Sequence, residues 1–189
     1  MKPIERGEVL ALADYETIRP RFRARVIDEK KRRRVSLGPR ATVLFENRDS
    51  VLLQIQEMLR TERITREAAI AHELETYNEF IPGERELSCT VMLEIADKDE
   101  REKFLVDARG IESAFSIVVA GERAMGRTTP DRILPDRASA VIYLKFTLSE
   151  RAMKGFASGP SLEVDHAAYQ AKLDLPREVI AALLEDFEG

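Results

Sequence analysis

From Leu87 onward the chain alternates strictly, with Leu87, Cys89, Val91, Leu93 and Ile95 apolar and the residues between them polar or mixed. A period of two predicts a half-buried strand. The clearest such segment is "ASAVIYLKFTLS", in which Ala140, Ile142, Leu144, Phe146 and Leu148 face one way and Val141, Tyr143, Lys145 and Thr147 the other. "ESAFSIVVAGERAMG" reads as a strand turning at Gly121, "PSLEVDH" as a last strand, and 42–46 as a short early one.

The pattern elsewhere has the period of a helix. Residues 20–34 read as a helix, because Pro20 suits the first turn and Gly38-Pro39 stops the run soon afterwards. On it Phe22, Val26, Glu29 and Arg33 share one face, and Arg25–Glu29, Asp28–Arg32 and Glu29–Arg33 are spaced for i,i+4 pairing. Val51, Leu52, Ile55, Met58 and Leu59 mark a helix over 50–60. Thr65 is the expected cap of the next, whose stripe is Ile70, Leu74, Tyr77 and Ile81 and which Pro82-Gly83 ends. Further helices are expected over 98–109, from Ser149-Glu150 to near Gly159, and over 176–187. The sum is an α+β protein: a largely antiparallel sheet with helices mainly on one face, and a two-helix hairpin inserted after the first strand. Residues 1–173 are expected as a single domain and 174–189 as a C-terminal helical tail.

Charge alters this picture at one place. The chain has net charge −4, yet residues 1–40 hold 12 Lys and Arg against 6 Asp and Glu, and the rest 18 against 28. Either an anionic partner or a basic helix lying on an acidic body accounts for such asymmetry. The acidic balance of the whole argues against nucleic acid. No apolar run approaches the roughly 20 residues that span a bilayer, and the charged start "MKPIERGEVL" lacks the apolar core of an export signal. A single cysteine, Cys89, forbids an internal disulfide, so a cytoplasmic protein is expected.

Catalytic and metal motifs are absent from the sequence. His72 points away from its helix's apolar stripe, and Cys89 sits on the apolar face of a strand as an inert thiol. Asp165 and His166 are strand neighbours on opposite faces, so they form no dyad, and a loop-anchoring bond is the plain reading of His166. Glu57, Glu62, Glu73 and Glu75 are carboxylates without metal-ligand spacing, Glu57 being placed on the wet face of its helix and Glu73 one turn before Tyr77. The loop "RTTPDRILPDR" is longer than a tight hairpin, and Arg127, Arg132 and Arg137 give it anion-binding capacity. Arg33, in line with the apolar seam, either meets a buried carboxylate as a structural cation or faces a cleft as an anion clamp.

Four stretches, "YETIRPRFRARVIDEKKRRRVSLGP", "LFENRDSVLLQIQEMLRTERI", "YNEFIP" and "VDHAAY", together resemble the uncharacterised bacterial domain-of-unknown-function 3501 family, over Leu12 to Tyr169. The usual family form of the last is "VDHPAY", with Ala167 here in place of the proline. The resemblance implies a gene neighbourhood of rubrerythrin-like proteins and iron–sulfur oxidoreductases, hence an accessory role in peroxide or electron-transfer metabolism. One cysteine cannot hold an iron–sulfur cluster, so any redox centre belongs to a partner.

Two functions follow as expectations. The first is an accessory protein, carrying no cofactor of its own, whose basic helix docks to a protein partner; self-association is compatible with it. The second is an enzyme or sensor in which Arg25, Arg32, Arg33 and Arg34 clamp a small anion, with Glu73, Tyr77 or His166 as acid–base groups.

Overall fold

A computed structural model describes residues 1–188, and among them lie six α-helices and eight strands. The strands form two antiparallel sheets. The first has the order β1 (Arg34–Leu37), β2 (Ala41–Glu46), β3 (Glu86–Leu93), β6 (Val141–Thr147); the second has β5 (Glu122–Met125), β4 (Phe115–Val119), β7 (Ser161–His166), β8 (Tyr169–Asp174). The α+β class and the antiparallel pairing are those expected, while the strands divide over two sheets where one was expected. The division follows from both sheets having an apolar inner face: Val43, Cys89, Val91 and Leu144 from one and Ile117, Leu162 and Val164 from the other belong to a single core. Each face hides its apolar row against the other, as in a sandwich.

Helices α4 (Lys98–Asp107) and α6 (Arg177–Glu188) add Phe104, Leu105, Val179 and Leu183 to that shared core. The predicted tail is therefore part of the domain's core; its last residue, Gly189, lies outside the described residues. The expected hairpin insertion is α2 (Arg48–Thr61) and α3 (Glu67–Asn78), between β2 and β3. Its apolar stripes close a second core with Ile4 and Val9 of the N-terminal segment. Asn47 caps α2, accepting from the Ser50 N–H at 2.9 Å. Residue Arg66, not Thr65, stands at the start of α3, with no side-chain cap.

Helix α1 runs Leu12–Lys31, earlier at both ends than the sequence pattern indicates. Pro20 sits inside it, and Arg34 already begins β1. Only Tyr15 and Val26 of this helix are buried, so ion pairs rather than an apolar face hold it on α2. Glu57 of α2 accepts from Tyr15 Oη at 2.6 Å and from Arg19 Nε at 2.7 Å; Arg60 reaches Glu16, and Arg25 reaches Asp49. Glu57 is thus a seam residue, not a wet-face one. Two of the expected i,i+4 pairs are also replaced, because Asp49 on α2 takes Arg25, and Glu29 with Glu185 on α6 takes Arg32.

Two motif stretches far apart in sequence meet at Gly38. Tyr169 Oη donates to the Leu37 carbonyl and accepts from the Arg40 N–H at 3.2 Å. Gly38 has φ +68°, and a Cβ there would lie 2.5 Å from the same hydroxyl. The turn needs glycine both for its backbone and for the close approach of Tyr169. A second device, Ala120-Gly121 with φ 52° and 79°, joins β4 to β5 in the manner of a type I′ turn.

Candidate functional site

Strand β6 is an edge strand, and its outer face carries the alternation Val141, Tyr143, Lys145. Pairing register puts Tyr143 beside Thr90, Thr90 beside Leu44, and Leu44 beside Arg34 across the sheet. Helix α3 and the residues after it approach this face with Tyr77 and Phe80. The Phe80 and Tyr143 rings stack at 4.2 Å and 22°, and Tyr77 meets Phe80 edge-on at 5.8 Å. The segment between β5 and β6 then folds over the top. It pairs once with β6, through Arg127 and Lys145, and peels away into a short 3₁₀ turn at Pro130–Arg132.

That turn lays the Arg132 guanidinium on the aromatic pair, 4.4 Å from the Phe80 centroid and 5.4 Å from that of Tyr143. Arg132 Nη2 donates to Glu79 at 2.9 Å. Beneath it open two adjoining cavities. One, of about 330 Å³, has Tyr77, Ile133, Leu134 and Val141 in its walls; the other, of about 220 Å³, extends along β6 past Lys145. Ile133, Leu134 and Val141 are among the few large apolar side chains exposed on the protein. Burial pushes the Tyr77 and Tyr143 hydroxyls up from the ordinary value of 10.0, so both are neutral hydrogen-bond donors at neutral pH.

Of the residues expected as anion clamp or acid–base groups, only Tyr77 lines this groove, beside Arg127 and Arg132 of the loop marked for anion binding; Glu73 stands one turn before Tyr77 on α3, half-buried. Arg33 is the structural cation of the two alternatives. It is 2% exposed; Nε donates to Glu29 at 2.7 Å, Nη1 and Nη2 both donate to Asp186, and Nη2 also to the Ala182 carbonyl at 3.0 Å. Burial opposes charge on this guanidinium, but the bonds from Asp186 and Glu29 outweigh it and raise its pKa. Burial likewise pushes the Asp186 carboxyl up against the pull of Arg33; two N–H groups facing its two oxygens favour the ionised pair. Arg32 is held by Glu29 and Glu185, Arg25 by Asp49, and Arg34 is exposed on β1. The basic cluster is therefore set against carboxylates of α2 and α6.

His166 lies at the β7–β8 hairpin, where Nδ1 accepts from the Ala168 N–H and Nε2 meets the Arg109 carbonyl, each at 3.2 Å. That is the loop-anchoring bond expected, and it does not bring His166 to Arg32, Arg33 or Tyr77. Cys89 is buried, and burial pushes its thiol up, which keeps it unreactive. Among the described residues no cluster of His, Cys, Asp or Glu has the geometry of a metal site, and no helix is long and apolar enough to cross a membrane.

A family model described as protein of unknown function (DUF3501) matches residues 3–187. The chain belongs to that family. A crystal structure of a novel protein of unknown function from Burkholderia pseudomallei is similar over 98% of this chain and 99% of that one, at 30% identity and a TM-score of 0.90. Among curated proteins none matches. Within this DUF3501 chain, "YNEFIP" supplies Tyr77 and Phe80 to the groove, and its Asn78 holds the N-terminal segment through both the N–H and the carbonyl of Ile4, at 2.8 and 3.0 Å. The sequence marked the 127–137 loop by its length and its arginines. It gave no signal that Arg132 would settle on Phe80 and Tyr143, since these residues come from three separate segments.

Proposed function

We propose that this chain is a cytoplasmic accessory binding protein that holds a small ligand in the groove between α3, β6 and the 126–140 loop. The observation that carries the reading is the placement of Arg132 on Phe80 and Tyr143 over two adjoining cavities, with exposed apolar walls. A concave site with aromatic walls and a few aimed polar groups is what small-ligand binding requires. Of the nine cations of 19–34, by contrast, Arg19, Arg25, Lys31, Arg32 and Arg33 are paired with carboxylates of the chain itself. We propose further that this accessory role serves rubrerythrin-like or iron–sulfur oxidoreductases, the association the family resemblance implies, with the redox centre on the partner.

The test is mass spectrometry of the protein purified under non-denaturing conditions, comparing wild type with Thr128→Trp, which fills the point where both cavities meet. A small mass released by the wild type and by an Arg32→Ala/Arg34→Ala variant, but lost from Thr128→Trp, supports the reading. The reverse pattern assigns binding to the basic cluster and overturns it.

A further inference from the structure

Two opposite charges border the larger cavity and do not meet. Glu112 lies on the 3₁₀ turn Ile111–Ala114, between α4 and β4, and is only 8% exposed. Among the described residues its carboxylate accepts no hydrogen bond and forms no ion pair. No fully buried side-chain oxygen or nitrogen lacks a partner, so the Glu112 oxygens reach solvent, and the cavity is what this residue lines. A carboxylate with no partner of its own, on a residue that lines a cavity, is free to take a cationic group there. On the opposite count, Arg132 spends one N–H on Glu79, while Nε and Nη1 donate to no described residue. The Thr128 and Ser139 hydroxyls and the apolar Ile133, Leu134 and Val141 complete the lining.

We propose that the groove takes a small zwitterion with an apolar body: its ammonium on Glu112, its carboxylate on Arg132, and its hydrocarbon against Ile133, Leu134 and Val141. This rests on the groove being the binding site. A simple anion would leave Glu112 unpaired in a site it repels, and a simple cation would face Arg132. A ligand carrying both charges satisfies both groups at once. The cavity of about 330 Å³ falls at the small end of the range for ligand pockets, roughly 300–1,000 Å³, which suits a molecule of amino-acid size.

The experiment is a calorimetric titration of the full chain with leucine, 6-aminohexanoate, hexylamine and hexanoate. One of the two zwitterions binds about tenfold or more tightly than either single-charge compound, since each charge-assisted bond contributes about 1.5–3 kcal/mol, the equivalent of about 10–100-fold. Glu112→Gln removes that advantage and leaves hexanoate bound as tightly as before or more tightly; Arg132→Gln weakens the zwitterion and hexanoate but not hexylamine. Because Glu112→Gln deletes a charge without a partner, it melts no lower than wild type, so loss of binding is not loss of fold. Hexanoate binding as tightly as the zwitterions, or binding that ignores Glu112→Gln, overturns the proposal while the groove reading stands. The same holds if none of the four binds at ~10 mM while the mass released by wild type is still lost from Thr128→Trp. If Thr128→Trp keeps that mass, the groove reading itself has failed.

Discussion

Arg33 keeps its charge at 2% exposure because Glu29, Asp186 and the Ala182 carbonyl surround it. Removing one partner of such a pair leaves the others buried and uncompensated, at a cost of about 3–5 kcal/mol. Arg33→Ala is therefore expected to melt roughly 10 °C lower, at about 2–4 °C per kcal/mol for a chain of this size. Arg33→Leu/Asp186→Leu regains most of the loss, because an apolar pair of similar volume needs no compensation. Calorimetry of the single and double variants decides it; equal losses in both contradict the account. Glu57 supplies the pH counterpart. The bonds from Arg19, and then Tyr15, outweigh its burial and hold its carboxyl down from 4.5 to about 2. A folded value below the unfolded one adds stability above pH 4.5 that is lost as the pH falls toward 2. Urea unfolding across that window shows a shallower acid loss for Glu57→Gln than for wild type; identical slopes contradict it.

At the scale of elements, the strands and helices with a full apolar row were legible from their period alone: β3, β6, α2 and α3 lie where the alternation and the stripes put them. The elements the pattern misplaced have few apolar residues. Strand β1 shows the chain only Val35 and Leu37 within a cationic run, which reads as the end of a helix, and β8 continues past "VDHAAY" with Ala171 and Leu173 as its weak inner row. Helix α1 is fixed by partners on α2 and α6, so of its start and its ion pairs only Glu29–Arg33 was readable from its own spacing. Gly38 joins such elements, and Gly38→Ala is expected to destabilise by more than ~1 kcal/mol, since φ +68° and a 2.5 Å approach to Tyr169 Oη both oppose a side chain. Tyr169→Phe frees the space at the expense of the bonds to Leu37 and Arg40, so the double variant loses less than the sum of the singles in denaturant unfolding. Strict additivity contradicts the contact.

For the molecule as a whole, the segregation of charge was legible and its meaning was not. The basic segment Arg19–Arg40 belongs to a helix and strand that rest on carboxylates of α2 and α6, so much of the asymmetry is internal complementarity. The groove escaped the sequence because Tyr77, Phe80, Glu112, Arg132 and Tyr143 come together only through the folding of the insertion and the 126–140 loop onto an edge strand. The most direct measurement compares the melting temperatures of wild type, Arg33→Ala and Arg132→Ala across one panel of amino acids, dicarboxylates, phosphates and nucleotides. A bound ligand raises the melting point of whichever protein retains the site. Arg33→Ala is expected to melt far lower yet respond to the same compounds as wild type, while Arg132→Ala, whose one ion pair is to the half-exposed Glu79, melts within a few degrees of wild type and loses the response. An Arg33→Ala variant that melts with wild type and loses the response, beside an Arg132→Ala variant that keeps it, would contradict the account.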